Sequence, residues 1–249
     1  MNKTVLLTGT INSALYHNTG NKIQNVQERY QMYLKSIERY IKESVFDNIV
    51  FAENSQYPFK ISFFLKLAKE YNKKFEYVRC PSYIKQTIEH GKSYGEARLM
   101  DDALRISELL QNAPTIYKVS GRIFLKNSKA ICKTVKSHRN EYIVYTGKGW
   151  CFTNIFKFNK EDYFWHWANV WEKCDEKSGH DIEKVFFKVL DENRNIDVGC
   201  FSVYPYFDGI QGATLEPYSG RLPERLLRSV CCKLGVFTYG TMASKMLKL

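Results

Sequence analysis

The sequence predicts an α/β fold with a mostly parallel central sheet flanked by helices. Three observations carry this expectation. From residue 4 to residue 127, short aliphatic and β-branched runs alternate with stretches whose apolar residues recur at helical spacing. Three of the runs close on small polar or glycine-bearing triplets: Thr8-Gly9-Thr10, Glu53-Asn54-Ser55 and Ser120-Gly121-Arg122. Finally, 249 residues, 44% hydrophobic and 25% charged, suit one large domain or two small ones and lack the composition of a disordered chain.

Residues 4–7 read as a buried first strand. Residues 11–27, with Asn12, Asn18, Gly20 and Asn21, read as a long polar loop, a feature often tied to function in compact domains. Residues 28–44 follow as a helix with Tyr30, Tyr33, Leu34, Ile37 and Ile41 on one face. Residues 48–52 form a second strand, 59–71 a helix and 75–79 a third strand. Such an order predicts right-handed crossovers, and ligands in such sheets bind beyond the carboxyl ends of the strands. The three triplets occupy such ends and mark the expected site.

Gly91 to Asn127 organises the chain. Ser93 and Glu96 have capping-box spacing, and Met100, Ala103, Leu104 and Leu110 then form an apolar stripe. Ile116, Tyr117 and Val119 are a strand that Gly121-Arg122 breaks. Lys92 and Arg122 lie near element ends, where a helix N-terminus also gathers anions. The stretch fits an ordinary turn-helix-strand unit with exposed charges first, and a pocket for a phosphorylated, sugar-bearing substrate second.

Beyond it, Lys126, Lys129, Lys133, Lys136 and Arg139 make a basic patch whose lysine spacing would line one helical face. That face suits an anionic membrane surface or plain solvent. Residues 142–145 read as a strand. Phe164, Trp167 and Trp171 share helical spacing, as a core stripe or as stacking planes for a sugar. Residues 179–190 open with His180, Asp181 and Glu183, where acids simply answer the helix dipole or where His180 and Glu183 supply a general base. Residues 198–204 are a last strand, 206–221 a lid-like loop, Pro223 starts a final helix, and residues 245–249 are a basic, apolar tail.

Seven cysteines, an odd number without CxxC, point to small core residues in a reducing compartment. A net charge of +11 favours a polyanionic partner: nucleic acid, an anionic membrane or phosphorylated substrates. No apolar run reaches the roughly 20 residues of a spanning helix, and the start is too short and polar for a signal peptide. The expected location is cytoplasmic, with the inner face of the membrane as a peripheral alternative. Walker, HExxH, GxSxG and Asp-x-Asp motifs are absent, and Asp101-Asp102, adjacent in mid-helix, point about 100° apart.

The layout LLTGTI, ERYQMYLKSIERYI, IVFAENS, GKSYGEARLMDDAL and IYKVSGRIFLKN resembles bacterial surface-polysaccharide glycosyltransferases of the lipopolysaccharide-core and capsule type, which are similar to the GT-A class. The resemblance covers residues 4–127 well and the remainder loosely. It implies a GT-A-like, Rossmann-type single domain, with residues 1–127 as the nucleotide-sugar-binding half and 128–249 as the acceptor-binding half. The implied reaction moves a sugar from a nucleotide-sugar donor to a glycan or lipid-linked acceptor. Thr8, Gly9, Thr10 and Asn12, with Asn54 on the next strand end, would hold the nucleotide. Lys92, Tyr94, Gly95 and Glu96 would shape the donor-sugar pocket. Ser120-Gly121-Arg122 stands where Asp-x-Asp would stand, so Arg122 would neutralise the leaving diphosphate and no metal cofactor would be required. Glu183, beside His180, or else Glu53, would take the acceptor proton. Two other readings remain: a basic nucleic-acid-binding protein, against which no RRM, KH or HTH signature appears, and a non-catalytic scaffold of a polysaccharide assembly complex.

Overall fold

The computed structural model describes residues 2–17, 22–133, 138–212, 214–218, 220 and 222–246. Its first half runs β1 (Thr4–Gly9), α1 (Val26–Glu43), β2 (Asn48–Glu53), α2 (Ile61–Glu70), β3 (Lys74–Arg79), α3 (Ile84–His90), α4 (Lys92–Ile106), α5 (Glu108–Gln111) and β4 (Thr115–Ser120). The second half has shorter strands: β5 (Phe124–Leu125), α6 (Ser128–Ile131), β6 (Asn140–Glu141), β7 (Val144–Tyr145), β8 (Trp150–Cys151) and β9 (Ile155–Asn159). It ends with α7 (Lys160–Asp162), α8 (Ile182–Glu192), β10 (Val198–Gly199), β11 (Phe207–Asp208), α9 (Leu222–Lys233) and α10 (Met242–Met246).

Among the described residues seven strands form one sheet in the order β10-β6-β9-β4-β1-β2-β3. β1 lies parallel between β2 and β4, with Thr8 opposite both Ala52 and Ser120. β9 is the exception, antiparallel to β4 and β6. The fold is therefore a single α/β domain with a mostly parallel sheet and helices on both faces. β1 and β2 are buried along their whole length, as continuous aliphatic runs in a doubly covered sheet must be. Pleating sends Val5, Leu7 and Phe51 into one layer with Tyr33 and Ile37 of α1. Leu6 and Val50 enter the other, with Met100 and Leu104 of α4 and Phe186 of α8.

Several local expectations are corrected. The capping box does not form: Gly91 precedes the first turn of α4, and the Ser93 amide and hydroxyl donate instead to Glu176 Oε1 at 3.1 and 2.6 Å. Glu96 is drawn to the sheet by a buried lysine. The basic stripe is no helix, because α6 ends at Ile131, before Lys133. Arg139 is claimed by Asp162 (2.9 and 3.0 Å) and Asn159 (3.0 Å). Lys136 lies outside the described residues, as do Asn18, Gly20, Asn21, Arg221 and residues 247–249. Residues 142–145 are not one strand, and of 198–204 only Val198–Gly199 pairs. Nor do the tryptophans share one α-helical stripe, since Tyr163–Trp167 is a π-helical turn. Trp167 is core while Trp165 is 85% exposed. Buried Asp101 gathers this segment, accepting from Tyr163 Oη (2.8 Å), the Asn169 amide (2.7 Å) and Trp171 Nε1 (3.1 Å). Among the described residues no helix is long and apolar enough to cross a membrane.

Candidate active site

The ends of β1 and β4 meet through two glycines. The Gly121 amide donates to Thr8 O at 2.8 Å. A Cβ at Gly121 would sit 2.8 Å from that oxygen, and one at Gly9 would sit 2.7 Å from the Phe51 and Tyr33 rings. Only the missing side chains let the two strand ends close over those rings. Beyond them opens a cleft of about 530 Å³.

Thr8, Gly9, Thr10 and Asn54 line it from the strand ends, Lys92, Gly95 and Glu96 from α4, and Ser120 and Arg122 from the β4 exit. Thr153, Asn154 and Glu183 enter from the second half, and Tyr145, Trp150, Phe152, Tyr204 and Tyr218 add aromatic surface. Of the residues expected from sequence, four stand apart from this lining. Glu53 is fully buried, its Oε1 accepting from the Ile11 amide (3.1 Å), the Ser55 amide (2.8 Å) and the Ser55 hydroxyl. That carboxylate braces the turn after β1 against the end of β2, so no acceptor hydroxyl reaches it. Asn12 is tied back through its amide to Ser55 Oγ at 2.9 Å. Tyr94 is core, its ring edge-on to Trp171. His180 is exposed and pairs with Ser178 Oγ at 2.9 Å, away from the Glu183 carboxyl it was expected to assist.

Sequence reasoning missed a group at the centre. Lys118 is fully buried, its ammonium bound to Glu96 Oε1 and donating to Thr153 O at 2.8 Å. Thr153 Oγ1 in turn donates to Glu183 Oε1 at 2.8 Å. A continuous chain, Glu96–Lys118–Thr153–Glu183, thus joins α4, β4, the β9 entry and α8. The signal was a lysine inside Ile-Tyr-Lys-Val, since a charge in a strand covered on both faces must be paired. Arg29, from α1, was also missed. It is buried, donating to Ile11 O at 3.0 Å and to Thr10 O, and so fixes the turn after β1.

No protein-family model matches this chain, and no curated protein sequence matches it. Solved structures do. A protein from Desulfovibrio desulfuricans G20, provisionally named a nucleotide-diphospho-sugar transferase, is similar at 9% identity and a TM-score of 0.47, over 80% of this chain and 79% of that one. An active-site variant of LgtC gives 8% and 0.46, over 79% of this chain and 71% of that one. A protein from Bacillus anthracis, provisionally named a glucose-1-phosphate thymidylyltransferase and solved with a sucrose, gives 11% and 0.47, over 98% and 99%. These likenesses concern shape alone.

The chemistry rests on the cleft's own residues. Burial raises the proton affinity of Glu183, and the neighbouring Glu96 carboxylate raises it further, against the Thr153 hydrogen bond. A carboxylate whose proton affinity is raised in this way is a better proton acceptor. Arg122 Nη1 is buried and hydrogen-bonds nothing among the described residues. A buried guanidinium donor without a partner is costly, and an anion entering the cleft relieves that cost. Burial and the nearby Arg122 charge lower the proton affinity of Arg29, which marks two cations on one wall. Among the described residues no group of three or more His, Cys, Asp or Glu could hold a metal ion. The two cleft acids, Glu96 and Glu183, are already engaged by Lys118 and Thr153.

Proposed function

We propose that this chain transfers a sugar from a nucleotide-sugar donor to the hydroxyl of a glycan or lipid-linked acceptor. The observation that carries the reading is the unpartnered, buried Nη1 of Arg122 in a cleft that also holds a carboxyl of raised proton affinity. A leaving nucleoside diphosphate needs the first, and a hydroxyl nucleophile needs the second. The nucleotide lies against Thr8, Gly9 and Thr10, with Arg122 and Lys92 on its phosphates. Glu183 takes the acceptor proton as the bond from sugar to diphosphate breaks and the bond from sugar to acceptor oxygen forms. Arg122 takes over the charge a divalent ion would otherwise neutralise, which fits an exit triplet of Ser120-Gly121-Arg122. The resemblance read from residues 4–127 supports a place in surface-polysaccharide synthesis.

Thermal shift and donor turnover with UDP-, GDP-, CMP- and dTDP-sugars, against RNA as control, test the reading. One donor at about a hundredfold excess over its Kd should stabilise the fold by about 2.7 kcal/mol. Turnover of that donor should persist in EDTA. Arg122→Lys keeps the charge but loses the planar fork, and should lower kcat/KM at least about tenfold without a matching fall in Tm. Stabilisation by RNA alone would replace this reading with nucleic-acid binding, and loss of turnover in EDTA restored by manganese would remove its metal-free form.

A further inference from the structure

Helix α9 turns its apolar residues outward. Leu222, Leu226, Leu227 and Val230, with Leu234 just past its end, are 50–67% exposed. Steps of four residues place 222, 226, 230 and 234 on one stripe. The residues that face the protein are Arg225, lying over the Tyr206 ring at 3.9 Å, Ser229, which accepts from the Tyr204 amide at 3.2 Å, and buried Cys232. Met242 of α10 adds a side chain 79% exposed. The one acid of α9, Glu224, is cancelled by Arg228 at 2.5 Å. Exposed Lys233 and Lys245 then leave the region positive, within a chain of net charge +11.

We propose that this face docks on an anionic lipid bilayer. An apolar stripe edged by cations lies in the plane of a membrane interface, the leucines among the acyl chains and the lysines on phosphate headgroups. Charge selects this occupant over a second copy of the chain, which would bring Lys233 and Lys245 against their own kind. The stripe also adjoins the cleft: Arg228, on the same helix, lines it together with Tyr204 and Pro205. Docking on α9 therefore brings the cleft mouth to the lipid surface. One consequence rests on the transfer reading above: the acceptor is lipid-linked and is met at the membrane.

The test is flotation of the full chain with phosphatidylethanolamine vesicles containing about one third phosphatidylglycerol, with phosphatidylcholine vesicles as the neutral control. The native chain should float with the anionic vesicles only. Leu226→Gln with Val230→Gln and Leu234→Gln should cut the partition at least about tenfold, and Lys233→Glu with Lys245→Glu should cut it also. Circular-dichroism melting of both variants should match the native chain, because these side chains are exposed. No flotation of the native chain, or flotation unchanged in the leucine variant, overturns the proposal. A dimer in light scattering that the leucine variant abolishes, without flotation, gives the face to a second copy instead. The assay contains no sugar nucleotide, so its failure leaves the transfer reading standing, and an inactive donor panel leaves the flotation result standing.

Discussion

In the proposed transfer, Glu183 ties function to stability in opposite senses. Burial, with Glu96 nearby, lifts its folded proton affinity above that of the unfolded chain. The folded state therefore binds the proton more tightly, and stability from this group, full at low pH, is lost as pH rises through the raised folded value. Activity runs the other way, since a base must be deprotonated. Glu183→Gln should melt at or above the native temperature at pH 8, with no gain at pH 4. Its kcat should fall by roughly a hundredfold, and the acidic limb of the pH–rate profile should vanish. Near-normal kcat in a folded Glu183→Gln would reduce Glu183 to a first-turn residue of α8. The Glu96–Lys118 pair is likewise unequal. Lys118 is wholly buried, whereas Glu96 keeps 31% of its side chain in water. Glu96→Ala strands a buried ammonium and should cost about 3 kcal/mol in urea unfolding. Lys118→Met should cost clearly less, and the double variant should resemble Lys118→Met alone. Equal costs for the two single changes would show that the pair is not held at unequal depth.

At the element scale, the junction of β1 and β4 is the least forgiving place in the fold. Gly121→Ala sets a methyl 2.8 Å from a backbone oxygen that cannot move without parting the strands. It should cost about 2 kcal/mol, the usual range for overpacking, and widen the cleft mouth enough to weaken donor binding. Unchanged unfolding and unchanged donor binding in Gly121→Ala would show that the approach is not tight. This junction also explains which elements could be read beforehand. β1, β2, α1 and α4 carry aliphatic runs or long helical periods, and β4 a short apolar run that Lys118 interrupts, so their positions and the strand-end triplets follow from pattern alone. β6 and β10 are two residues each, too short for any period, and Tyr163–Trp167 departs from 3.6 residues per turn. Arg122 was legible because it follows a strand-breaking glycine. Arg29 was not, because a single cation in a helix ordinarily faces water, and Lys118 was legible only through its place inside a strand covered on both faces.

The whole molecule is one sheet built from both halves of the chain. β4 is covered along residues 115–119 by β9, and Lys118, already bound to Glu96, finds its second acceptor at Thr153. A fragment of residues 1–127 would bare that edge, a row of unpaired amides and carbonyls beside a buried, half-satisfied ammonium. It should aggregate and give no dispersed amide spectrum by NMR, and a monomeric fragment with native-like dispersion would show two separable halves. β9, running against its neighbours, offers the cleft its beginning: Thr153 and Asn154 stand just before it, and Asn154 accepts from both Ser120 Oγ (3.1 Å) and Tyr218 Oη (3.3 Å). On the ribosome the wall ending at Arg122 is made first, and the groups from Thr153 to Arg228 that face it follow. At about 5–20 residues per second, that interval is several seconds long. Throughout it the Arg122 wall lacks both the strand that covers β4 and the wall that faces it, so the growing chain spends that time with a cleft it cannot yet form.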